Sequence, residues 1–222
     1  MDKHIFLEEI KHKSTRLPSS DNVSINLLNE DVCLPAVVVK FDALENNIAW
    51  MQHYANTVNV SLSPHGKTTM TPAIFKRQIA QGAWGISVGT VYQVKVAIES
   101  GIKNIVIANQ VVGKTNIRLL AELVKLNQAT IYCCVDSIQN ATQLAEIFSH
   151  EKQTLNILIE LGVNGGRCGC RTESEALLLA EELNALPSLV IAGIEFYEGV
   201  IHSDDAEQDI NEVQQFLQRV LM

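Results

Sequence analysis

Seven short runs of apolar, largely β-branched residues recur along the chain with amphipathic stretches between them, and this alternation limits the fold more than any other feature. The runs are Ala36–Lys40, Val58–Leu62, Trp84–Val88, Asn104–Ala108, Thr130–Val135, Leu155–Leu161 and Leu189–Phe196, after a polar lead-in through Asn29. Strand-like runs separated by helical stretches are the pattern of repeated β-α units around a parallel sheet. Such units close into a β/α barrel or form an open doubly wound sheet, and spacing alone does not separate the two.

Local signals place some boundaries. Asp42 is expected to cap a helix whose Leu44, Ile48 and Met51 fall at helical spacing. Thr71-Pro72 opens another, because proline suits a first helical position.

A chain of 222 residues, 47% hydrophobic, can bury a substantial core. Its net charge of -8 and pI near 5.2 exclude the basic stripe of a nucleic-acid binder and favour a small-molecule ligand. Met1–Lys13 mixes charges among its apolar residues, so no signal-peptide run is present, and no apolar run reaches the roughly 20 residues of a membrane span. A cytoplasmic protein without membrane contact is expected. The five cysteines, an odd number, lack the spacing of a zinc site. They are expected as reduced thiols, with Cys168-Gly169-Cys170 too incomplete for a metal centre, and no metal ligands are assigned.

Active sites of β/α barrels lie at the carboxyl ends of strands, and here those ends carry Lys67, Asn109, Asp136, Arg167 and Tyr197. Turns attract polar residues in any case. Lys67 stands apart because it follows directly from an apolar run, where its amine would face the mouth of a site. A lysine so placed can form a Schiff base with an aldehyde cofactor, or it can be structural. His65, two residues earlier, would share its face of a strand and could tune the amine or make a structural hydrogen bond. The glycines between Gly162 and Gly169 lack a dinucleotide or P-loop spacing and are read as a turn that brings Arg167 inward. His202 is expected to be a solvent-facing loop histidine.

The segment Pro64-His65-Gly66-Lys67-Thr68 resembles the Pro-His-x-Lys-Thr motif of the D-threonine aldolase and D-serine dehydratase family of pyridoxal-phosphate (PLP) enzymes, built on an alanine racemase N-terminal-like barrel. Leu34–Val39 with Asp42–Ile48, Gly82–Val88 and Ile107–Asn109 resemble the family at the right separation. Ser63–Met70, Ala108–Gly113, Gly165-Gly166-Arg167 and Tyr197–Val200 look closest to its amino-acid deaminase branch. Many aldolases and dehydratases of the family have His where this chain has Thr69, a departure that favours a deaminase.

The resemblance implies that Lys67 carries PLP as the catalytic lysine and that His65, Arg167 and Tyr197 complete the cofactor pocket, Arg167 near the phenolic oxygen. It implies that a D-amino acid such as D-serine or D-threonine displaces the lysine, with PLP acting as electron sink and the β-hydroxyl leaving. Cleavage of the α-β carbon bond, as in an aldolase, and racemisation use the same lysine. Family members continue through two more barrel strands, which supply phosphate-binding backbone, and a β-domain with a divalent-metal site. On that pattern residues 1–33 are a lead-in and residues 34–222 an incomplete TIM-type barrel, with Ala36–Lys40 belonging to the absent C-terminal β-domain and any metal site outside the chain. A homodimer is implied at full length, and weak or absent activity for the truncated chain. The rival readings are a PLP-binding protein without turnover and an inactive remnant.

Overall fold

The computed structural model describes residues 26–221, which fall into two compact units meeting in sequence at Val60 and Ser61. Most of the lead-in therefore lies outside the described residues.

In the first unit a short 3-10 turn, Leu27–Asn29, is closed by the Asn26 side chain accepting from the Leu28 amide at 2.9 Å. Helix α1 spans Phe41–Thr57. Asp42 sits inside its first turn and not at the cap, which is Lys40 without a side-chain bond. An acid there still complements the positive end of the helix. Ala36–Lys40 is not a strand: none of the described strands pairs with it and Val37 is 99% exposed. An extended run without a partner leaves its peptide groups to water. The expected strand at Val58–Leu62 also changes, because Val60 still donates to the Ala55 carbonyl at 3.0 Å and Asn59 adopts a left-handed φ of 57°.

In the second unit the extended segment 61–65 lies beside the sheet without becoming a regular strand. Trp84 donates to the Leu62 carbonyl at 2.8 Å, Ser87 to the Pro64 carbonyl at 2.9 Å, and His65 forms a single parallel bridge with Ser87. Pro64 has no N–H, so the ladder cannot continue through it. The elements that follow are α2 (Pro72–Gln81), β1 (Ile86–Val88), α3 (Val91–Glu99), β2 (Asn104–Gln110), α4 (Lys114–Lys125), β3 (Thr130–Val135), α5 (Ile138–His150), β4 (Leu155–Leu161), α6 (Glu173–Leu183), β5 (Leu189–Phe196) and α7 (Ala206–Val220). β3, β4 and β5 keep the bounds read from the sequence; β1 is shorter and β2 extends to Gln110.

All five strands are parallel and hydrogen-bonded in chain order, β1-β2-β3-β4-β5. A doubly wound sheet reverses its strand order at a switch point. No reversal occurs among the described strands, and a parallel sheet in unbroken chain order agrees with the α/β reading.

Alternation along the strands divides the sheet into two faces. In β4, Leu155, Ile157, Ile159 and Leu161 are buried, whereas Asn156, Leu158 and Glu160 are only partly covered. The buried face packs with Ile105, Ile107, Ile131 and Val135 against helix residues such as Ile117 and Leu120 of α4 and Leu144 and Phe148 of α5. Each such side chain contributes about 1.5–3 kcal/mol on burial. Helix ends are set locally: Pro72 opens α2, Gly82 ends it at a φ of 117°, and Thr172 with Glu175 forms a reciprocal capping box on α6. No described helix is long and apolar enough to cross a membrane.

Candidate functional site

A pocket of about 300 Å³ opens where the extended segment, β1, β2, β4 and β5 end, at the carboxyl edge of the sheet. Its volume is at the lower end of small-molecule sites. His65, Lys67, Arg167 and Tyr197, the four residues singled out from the sequence, all line it, together with Gly89, Asn109, Glu160, Cys168 and Glu195.

Lys67 belongs to a short 3-10 turn, Gly66–Thr68, which turns the chain away from the sheet directly after His65. Gly66 permits this turn to seat on the core: a Cβ there would lie 2.6 Å from Phe75 Cε1 and 3.0 Å from Ile86 Cγ2. The lysine stem runs past Gly89, whose own Cβ position is 3.6 Å from Lys67 Cδ.

His65 Nδ1 is 3.0 Å from the Ser87 carbonyl and 3.5 Å from the Lys67 amide nitrogen. A carbonyl can only accept, so the shorter contact places the proton on Nδ1 and the longer one is not a hydrogen bond. Desolvation, then the Lys67 charge, lower the His65 pKa, partly opposed by the bond to Ser87. A neutral imidazole thus stands beside the lysine.

Arg167 enters from the glycine-rich loop after β4. Gly162 there could not carry a side chain, since its Cβ would lie 2.1 Å from the Cys168 carbonyl oxygen, and Gly169 has a φ of 95°. Arg171 braces the loop, donating to the carbonyls of Cys168 at 2.8 Å and of Gly166 and Arg167 at 3.2 Å. Asp136 is a loop support too: its carboxylate accepts from the Gly169 amide at 3.0 Å, and it does not line the pocket. Among the described residues Arg167 has no salt bridge, and Glu160 is a carboxylate whose titration it influences. Tyr197 is 52% exposed, so it is not a core aromatic, and its ring lies over Gly199, where a Cβ would be 2.5 Å from Cζ. His202 is solvent-facing as expected and pairs with Asp209 at 3.2 Å.

Sequence reasoning missed Glu160, Glu195 and Arg171. Each glutamate is the one charge in a largely apolar strand, LNILIEL or LVIAGIEF, and that interruption was the available signal. Burial raises the pKa of Glu160, with the Gln110 amide opposing, Asp136 reinforcing, and Arg167 and Arg171 opposing. Glu195 is pushed up to about 7, by desolvation first and then by Glu160. Cys134 Sγ and one oxygen from each glutamate lie within 4.8 Å of one another, a potential metal-ligand group among the described residues. Burial raises the Cys134 thiol far above its ordinary pKa, which works against the thiolate a metal would need.

Comparison with known proteins places this geometry in a family. Residues 39–221 match the family described as alanine racemase, N-terminal domain. A D-threonine aldolase of Arthrobacter sp. is 32% identical over 179 residues, 81% of this chain and 47% of the relative. A D-threo-3-hydroxyaspartate dehydratase of Delftia sp. strain HT23 is 30% identical over 147 residues, 66% of this chain and 38% of the relative. The crystal structure of D-threonine aldolase from Filomicrobium marinum superposes with a TM-score of 0.70 at 35% identity, covering 74% of this chain and 44% of that one. The chain thus spans about half the length of these relatives, or less. With sheet, strand order and family match in agreement, the chain belongs to the alanine racemase N-terminal domain family.

Proposed function

We propose that the pocket binds PLP at Lys67 and that the protein is a lyase acting on β-hydroxy D-amino acids such as D-serine or D-threonine. The observation that carries this reading is the convergence of His65, Lys67, Arg167 and Tyr197, from three separate segments, on one pocket at the carboxyl edge of the sheet.

The residues present suit the cofactor's chemistry. Lys67 offers an amine for an aldehyde, Arg167 a cation for a phenolate oxygen, and Tyr197 an aromatic ring on a half-exposed wall. When bound, PLP supplies an electron sink for the bonds around a substrate α-carbon. His65, neutral and anchored through Nδ1 to Ser87, would keep an unprotonated Nε2 that can accept a proton from an ammonium group, so that only one of the two carries the charge. The residues of the extended segment, β4 and β5 would act as parts of a longer domain, with residues 34–222 an incomplete barrel module of it. PLP is the cofactor proposed; a divalent metal, if used, is expected to be held elsewhere.

Two bond-breaking outcomes follow. Thr69 in the lysine motif favours loss of the β-hydroxyl, a deamination, whereas the aldolase names of two relatives favour cleavage of the α-β carbon bond. Borohydride reduction of the protein mixed with PLP, followed by peptide mapping, tests the cofactor role. A pyridoxyl group on Lys67 that disappears in Lys67→Ala is expected, and label scattered over surface lysines would overturn the reading. Incubation with D-threonine then separates the outcomes: 2-oxobutanoate and ammonia mark dehydration, glycine and acetaldehyde mark aldol cleavage.

A further inference from the structure

The proposed function leaves unused the two carboxyl groups on the pocket wall. Glu160 and Glu195 are paired residues in the β4–β5 ladder, so their side chains leave the sheet side by side on one face. Both are partly buried and both line the pocket. Like charges directly opposite on neighbouring strands repel, and the repulsion grows as water is withdrawn.

Their surroundings differ in a way that decides between them. Glu160 accepts a hydrogen bond from the Gln110 side-chain amide and feels two cations, Arg167 and Arg171, against one anion, Asp136. Glu195 faces Glu160 and Glu198, both acids, and the thiol of Cys134, with no cation among the groups that act on it. Two carboxyl groups so close cannot both ionise cheaply, and the proton stays with the one whose anion is less stabilised.

We propose that Glu160 and Glu195 hold one proton between them as the pH rises toward neutrality, carried on Glu195, which makes Glu195 a neutral hydrogen-bond donor on the pocket wall and a positioning residue for whatever binds there. The raised titration of both groups agrees with this assignment. Loss of the shared proton would add a negative charge to a wall that also carries Lys67 and Arg167, and would weaken the hold on an anionic ligand. The ligand part of this inference rests on the proposed function; the proton does not.

The test is carbon NMR of the protein labelled at glutamate carboxyl carbons, titrated from about pH 4 to about pH 9, the span in which ordinary and raised carboxyl groups titrate. One resonance is expected to titrate well above the others, to vanish in Glu195→Gln, and to move down toward the ordinary range in Glu160→Gln. Midpoints that all coincide in the ordinary range would overturn the proposal. So would loss of the high resonance in Glu160→Gln with its retention in Glu195→Gln. A response of both carbons to one equivalent of Zn²⁺ without a raised midpoint would replace it with a metal site that includes Cys134. Failure of PLP to label Lys67 counts against the proposed function alone and leaves these midpoints unaffected. If PLP does bind, its affinity should fall about tenfold further on raising the pH in the wild type than in Glu195→Gln, the equivalent of about one pKa unit.

Discussion

Gly66 and Phe75 meet so closely that a methyl group on the glycine would lie 2.6 Å from one ring carbon and 2.7 Å from the next. The turn that carries Lys67 is thus seated on the core through the absence of a side chain. Gly66→Ala should destabilise the protein by about 1–3 kcal/mol, the usual range for overpacking. Urea unfolding checks this, and Phe75→Leu in the same chain should recover part of the loss, because the two changes share one contact.

His65 and Lys67 give a second expectation. The imidazole is held neutral by desolvation first and by the lysine charge second. Its NMR titration midpoint should therefore lie below the unperturbed 6.5 and should rise in Lys67→Gln, which removes the charge but keeps much of the bulk. A midpoint that does not respond to the substitution would show that the lysine amine is held away from the ring. The stability linked to this neutral histidine is present above the unfolded-state pKa and is lost as the pH falls through the lowered folded value.

Much of this arrangement was legible in the residues. The runs at Thr130–Val135, Leu155–Leu161 and Leu189–Phe196 are rich in apolar and β-branched residues, and β3, β4 and β5 have those bounds. Ala36–Lys40 was not legible, because a strand is defined by its partner and a sequence displays only the propensity. The segment 61–65 was displaced for a different reason: Val58–Leu62 has strand composition, but α1 continues to Thr57 and Pro64 interrupts the ladder. Among site residues, Lys67 and Arg167 announced themselves by motif. Arg171 did not, since nothing in Cys-Arg-Thr distinguishes a guanidinium that bonds three nearby carbonyls from one in solvent.

Arg171 is accordingly expected to matter for the loop and not to touch a ligand directly. Arg171→Leu strips partners from the carbonyls of Gly166, Arg167 and Cys168 and should cost about 1–3 kcal/mol. Arg171→Lys should recover only part, because an ammonium lacks the planar fork that reaches several acceptors at once. Amide hydrogen exchange across residues 162–170 should rise in both variants. If exchange there is unchanged while PLP labelling of Lys67 is lost, the residue acts on the ligand and this division of roles between Arg167 and Arg171 is wrong.

The carboxyl pair predicts a pH dependence of stability with a definite sign. Glu195 titrates near 7 in the folded protein, above its ordinary 4.5. A carboxyl raised in this way binds its proton more tightly folded than unfolded, so its contribution to stability is fully present below about pH 4.5 and disappears as the pH rises through about 7. Glu195→Gln keeps the neutral form at every pH. The variant should match the wild type in urea at low pH and become the more stable of the two above neutrality, by about 1–2 kcal/mol after allowance for solvent screening of a partly covered group. Asp209 has the opposite linkage, its carboxyl lowered first by the Ser203 hydroxyl, but it is present in both proteins and cancels from their difference. A stability difference between the two that is flat across this range would mean that Glu195 ionises in the folded protein as freely as in water, and Glu160 would then have to tolerate a full negative charge directly opposite it in the ladder.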